Sequence, residues 1–110
     1  MEQNKISTYL GFCIRSGKIT FGVDNVEKEK KGVFLLISDE DLGKSSFKTM
    51  VKAQEKFACP LVIAESGVLG ELTHRTSVKA VAIKDKNLAE AIIKELGEKP
   101  QFKLYSGGNN

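Results

Sequence analysis

"VFLLIS", residues 33–38, is an unbroken apolar run that follows Gly32 and ends at the acidic "DED" of residues 39–41. A strand with one wet face alternates apolar and polar residues. This one does not alternate, so it reads as a strand covered on both faces. Such a strand needs helices above and below its sheet, and the flanking sequence supplies them. Downstream, "LGKSSFKTMVKAQEKFA" (42–58) places Phe47, Met50, Val51, Phe57 and Ala58 on one helical face. "LVIA" (61–64), entered through Pro60, is the next buried strand, and Ser66 is a candidate cap for a short helix bearing Val68, Leu69 and Leu72. "KAVAI" (79–83) is a further strand. Asn87 and Glu90 have capping-box spacing for a last helix carrying Leu88, Ile92, Ile93 and Leu96, with Gly97 and Pro100 as its stop.

Upstream, Ile6, Tyr9, Leu10, Cys13 and Ile14 recur at helical spacing, and Gly17 is a left-handed stop. "KITF" (18–21) reads as a short strand. Gly22 then opens an almost wholly charged helix that ends by Gly32. Strands and helices alternate throughout, which predicts an α/β sandwich with helices on both faces of a central sheet. The expected domain covers residues 1–97 around a mixed sheet of about four strands. Residues 98–110 are expected to form a partly disordered tail. Phe102, Leu104 and Tyr105 leave two options open for it, docking on the domain or serving a partner.

A chain of 110 residues is one domain by size and folds without staples. With 17 Lys and Arg against 14 Asp and Glu, the net charge of +3 permits an anionic partner without demanding one. Cys13 and Cys59 show no CxxC spacing, so neither a disulfide framework nor a zinc cage is expected. "MEQNKISTYLG" has no signal-peptide core, and no apolar run reaches membrane-spanning length. The expectation is a cytoplasmic, reduced, soluble protein with no cofactor, no metal and no small-molecule substrate.

Catalysis finds little support. His74 is the only histidine and reads as a surface group with no paired nucleophile. Both cysteines read as core. "GKSS" (43–46) resembles the end of a phosphate-binding loop, but Ser38 stands where that loop needs glycine, and "DED" repels phosphate. Acids after a strand can accept a phosphoryl group, yet "KITFG" supplies no second acidic pair, so Asp39 or Asp41 reads as a helix cap. Lys44, Lys48, Lys52 and Lys56 repeat every fourth residue. They read as a solvated ridge, since no aromatic is interleaved with them on the helix.

The segment after "KITF" has two readings. Gly22 permits close approach of a ligand, and the first turn after it offers free N–H groups. Asp24 and Asn25 can meet base edges, and Lys28 can reach a phosphate. Equally, Asp24 with Glu27 is a D-x-x-E capping box that needs no ligand. Spacing leaves both open.

"YLGFCIRSGKITFG", the charged helix and "VFLLISDED" together resemble the bacterial, ribosome-associated branch of the L-seven-Ae/L-thirty-e ribosomal protein superfamily. The matching positions are Leu10, Gly11, Arg15, Gly17, Lys18 and Gly22, then Glu40 and Asp41, Pro60, and Leu69 with Gly70. The resemblance covers roughly residues 4–96. It implies a three-layer α/β/α sandwich without catalytic activity that binds structured RNA, in many members a kink-turn with sheared G·A pairs, in ribosomal or other ribonucleoprotein assemblies. In the family's Gly-x-Asn-Glu-x-x-Lys motif, Gly22 and Lys28 match, while Asp24 stands at the asparagine position and Asn25 at the glutamate position. Thr20 and Phe21 stand where basic residues are usual. The second RNA-facing loop falls at "THRTSV" (73–78), where Arg75 would meet phosphate and Val78 a base, and His74 replaces a common glycine. The implied RNA-binding residues are Lys18, Gly22, Asp24, Asn25, Lys28, Arg75 and Val78, with RNA as partner and ribosomal proteins as neighbours. The alternative is a protein-interaction or regulatory module on the same fold that has lost RNA. Asp24 and the missing basic residues point that way; Gly22, Lys28 and Arg75 point to RNA.

Overall fold

The computed structural model describes residues 5–97 and 99–106. Along the chain run α1 (Lys5–Arg15), β1 (Ile19–Phe21), α2 (Val23–Lys28), β2 (Leu35–Asp39), α3 (Lys44–Phe57), β3 (Leu61–Ala64), α4 (Val68–Thr73), β4 (Ala80–Ile83), α5 (Lys86–Leu96) and β5 (Phe102–Ser106). The strands form one mixed sheet in the order β1-β4-β2-β3-β5. β4 runs antiparallel to β1 and β2, β2 runs parallel to β3, and β3 runs antiparallel to β5. β2 is central and buried at every residue, but it covers only 35–38 of the expected 33–38 run and extends to Asp39; Val33 and Phe34 precede it and Phe34 is exposed.

Two cores lie on opposite faces of the sheet. On one, α1, α4 and α5 pack Leu10, Leu69 and Ile92 against Leu35, Ile37 and Val81. On the other, α2 and α3 pack Val26 and Met50 against Leu36, Leu61 and Ala82. The α/β sandwich therefore has three layers. Cys13 and Cys59 belong to these cores as expected and are free thiols. Burial pushes both thiols up to about 11; for Cys13 the Asp85 carboxylate adds to the effect.

The sheet has five strands rather than about four, and the additional one comes from the expected tail. Lys99 N–H donates to the Leu96 carbonyl, Glu65 N–H donates to the Gln101 carbonyl, and Phe102 packs on the core. That turn sets β5 beside β3. The tail's last residues, 107–110, expected to be disordered, lie outside the described residues.

Several expected caps are replaced. α5 is capped by Asp85, whose Oδ1 accepts from Leu88 N–H at 2.9 Å, rather than by Asn87. Gly67 caps α4 with a φ of 82°, and Gly43, not Asp39 or Asp41, caps α3. Asp39 instead binds loops: its Oδ1 accepts from Asp41 N–H at 2.7 Å and its Oδ2 from Gly67 N–H at 2.9 Å. Ser66 donates its hydroxyl to Asp41 and its N–H to Glu40 at 3.0 Å. The acidic run after β2 is thus the anchor of the α4 entrance. Ala58, expected on the apolar face of α3, is instead its exposed left-handed C-cap, φ 51°.

Candidate nucleic-acid interface

β1 and β4 pair with Phe21 opposite Val81, and Gly22 N–H continues the ladder by donating to the Ala80 carbonyl at 2.9 Å. This register brings the start of α2 beside the loop that precedes β4. Gly22 caps α2 with φ 90° and ψ 144°, a conformation open to glycine and strained for any other residue. A Cβ at Gly22 would come no closer than 4.0 Å to Asn25 Nδ2, so conformation and not crowding dictates the glycine. No side chain caps this helix, and Asp24 lies inside its first turn. The Asp24–Glu27 capping box is therefore not formed.

Asn25 Nδ2 donates to the Phe21 carbonyl at 3.0 Å, so one of its two amide N–H groups is taken up by the strand that precedes the helix. Asp24 and Asn25 are both exposed. From the other side, the Arg75 guanidinium carbon lies 4.3 Å from the centre of the Phe21 ring. Arg75 N–H donates to the Gly70 carbonyl at 2.9 Å, and Val78 N–H donates to the Arg75 carbonyl at 3.0 Å. Val78 is half-buried against the core.

Gly70 explains how this loop comes so near α4. A Cβ there would stand 3.0 Å from the Arg75 carbonyl oxygen and 3.1 Å from that of Thr76, both backbone atoms. His74, the exposed left-handed C-cap of α4 with φ 59°, makes the turn that a glycine would make more easily. Its role is conformational. Among the described residues, no cluster of three or more His, Cys, Asp or Glu is placed to hold a metal ion, and no helix is long and apolar enough to cross a membrane.

Gly22, Asp24, Asn25, Arg75 and Val78 thus gather at one end of the sheet. Lys28 is exposed in the last turn of α2, about 7.5 Å along the axis from the helix start. Lys18 is not part of this end. It precedes β1, about 13 Å from Gly22 in extended chain, where its carbonyl accepts from Lys84 N–H at 2.8 Å.

Glu29, which the sequence patterns did not single out, holds the polar helix in place. Its Oε2 accepts from the Thr20 hydroxyl at 2.7 Å and from Lys84 Nζ at 3.3 Å, and its carbonyl accepts from Lys56 Nζ at 2.5 Å. One residue therefore links α2 to β1, β4 and α3. The Thr20 hydroxyl and then Lys84 hold the Glu29 carboxyl below its ordinary range, although burial opposes them.

No family model and no curated protein matches this sequence. Among solved structures, the chain is similar to a protein with unknown function from Bacillus halodurans C, with a TM-score of 0.70 and 19% identity. The match spans 87% of this chain and 100% of that one. The likeness shows a shared fold across nearly the whole domain.

Proposed function

We propose that this chain is a non-catalytic RNA-binding protein that meets structured RNA at the Gly22 end of its sheet. The observation that carries the reading is convergence. Two segments distant in sequence, 21–25 and 75–80, are joined by the Gly22–Ala80 hydrogen bond and by Arg75 on Phe21. Gly22 keeps the backbone free of a side chain at the start of α2, Arg75 offers a planar cation to phosphate or base, and Asp24 and Asn25 offer exposed acceptors. Lys28 adds a phosphate contact along the same helix.

Sheared G·A pairs of the kink-turn type are the RNA this edge suits, in a ribosomal or related cytoplasmic assembly that includes ribosomal proteins. Asn25 offers its carbonyl oxygen and its second amide N–H, since one N–H already serves Phe21. Buried, high-pKa thiols and an exposed histidine used as a helix cap support a binding role over a catalytic one.

A gel shift with a kink-turn RNA and with a copy lacking the sheared pairs tests this reading. Preference for the intact motif supports it. Equal binding to both reduces the interaction to general electrostatics, and no binding at modest salt favours a protein-interaction module on this fold.

A further inference from the structure

The end of the sheet opposite Gly22 holds a second surface of different composition. β2 begins there, β1 begins there with Lys18, and α3 ends there. Between the 30–34 segment and the end of α3 lies a cleft of 350 Å³, walled by Lys30, Lys31 and Lys56 together with Phe34 and Phe57, and no carboxylate lines it. Gly32 at φ 79° and Ala58 at φ 51° turn the chain at its two walls.

Three features separate this cleft from an ordinary solvated charge run. Phe34 is a large aromatic that remains 37% exposed, although its N–H is fixed to the Ile83 carbonyl at 2.9 Å. Lys56 Nζ stands 5.1 Å from the Phe57 ring centre and donates to the Glu29 backbone carbonyl, with the Glu29 carboxylate near enough to interact with its charge. Among the described residues the one ion pair is Lys84 with Glu29, and neither Lys30 nor Lys31 is in an ion pair. The lysine ridge of α3 leads into the cleft: Lys44, Lys48, Lys52 and Lys56 are all exposed and rise about 6 Å per step. Phe57, the last residue of α3, and Phe34, just before β2, bring two aromatics beside these cations.

We infer that this cleft is a second nucleic-acid site, which takes a single-stranded RNA segment by stacking a base on Phe34 and holding flanking phosphates on Lys30, Lys31 and Lys56. Charge complementarity and an exposed π-face are the two elements such sites use, and neither requires a particular sequence. The site shares only its ligand class with the Gly22 edge and stands at the far end of β2, so the two act independently. An RNA carrying a structured motif beside a single-stranded flank can occupy both.

Fluorescence anisotropy of the full chain with a labelled 12-nucleotide oligouridine tests the site. Phe34→Leu keeps an apolar side chain but removes the π-face, and it weakens binding about five-fold or more. Lys30→Gln with Lys31→Gln lowers the salt slope by about 1.4, the value for two single-strand phosphate contacts. Phe34→Leu leaves the kink-turn gel shift unchanged, and loss of that gel shift in the wild type leaves the oligouridine result standing, so the two readings fail separately. Oligouridine binding that is absent at low salt, or equal in all three proteins, overturns the inference. So does competition by polyglutamate as effective as by unlabelled oligouridine, which reassigns the cleft to acidic protein partners.

Discussion

Arg75 lies face-on against Phe21, its guanidinium carbon 4.3 Å from the ring centre, and so joins the loop before β4 to the end of β1. The contact positions a planar cation beside Gly22, the N-cap of α2. It is an exposed cation–π pair, worth about 0.5–1 kcal/mol to the fold. Arg75→Gln should therefore lower stability by no more than that while weakening binding to structured RNA. Paired urea melts and gel shifts check both halves. Equal binding by the variant and the wild type places the interface elsewhere.

Gly70 is expected to accept a side chain only if the facing loop shifts by a few tenths of an ångström. Gly70→Ala drives a methyl toward the carbonyls of Arg75 and Thr76, which are backbone atoms and cannot swing aside. Overpacking of this kind costs about 1–3 kcal/mol, and the strain falls on the loop that precedes β4. Urea denaturation measures the cost; a change below about 0.5 kcal/mol would show that the loop moves freely.

The caps offer a sharper test of the local structure. Asp85→Ala removes the acceptor for Leu88 N–H and should cost about 1 kcal/mol, whereas Asn87→Ala, inside the helix, should be near neutral. Thermal melts of the two variants distinguish them.

Those caps also show where the sequence was legible. The unalternating 33–38 run identified the buried centre of the sheet because a strand covered twice leaves no polar face to mask it. Helix ends were harder, since Asp85, Asn87 and Ser66 are all good capping residues and only tertiary packing selects among them. β5 escaped because "FKLYS" lacks apolar alternation strong enough to outweigh a terminal position; its pairing with β3 decides it. At the candidate site, Gly22 and Arg75 were legible from their family-like positions. Their contact through Phe21, and the anchoring by Glu29, arise between elements and leave no pattern along the chain.

Glu29 makes stability depend on pH. Its carboxyl is held below the ordinary value of 4.5 by the Thr20 hydroxyl first and Lys84 next. A group whose folded pKa is lowered stabilises the fold above its unfolded value, and that contribution is lost as pH falls through the lower folded value. Acid titration below about pH 4.5 should therefore loosen α2, and Glu29→Gln should flatten that limb by under about 1 kcal/mol. Identical acid limbs in the two proteins would remove Glu29 from this role.

Both thiols should be inert in the native state. With Cys13 and Cys59 buried and pushed up to about 11, alkylation at pH 8 is expected to be slow in buffer and fast in denaturant. Rapid native labelling of either would show that its core opens readily.

The central claim is that the Gly22 end of the sheet meets structured RNA, and an amide chemical-shift titration of the labelled full chain with a kink-turn RNA tests it most directly. The account predicts that the largest changes fall on Gly22, Asp24 and Asn25 together with Arg75 and Val78. Changes that leave both segments untouched while the RNA binds would contradict it.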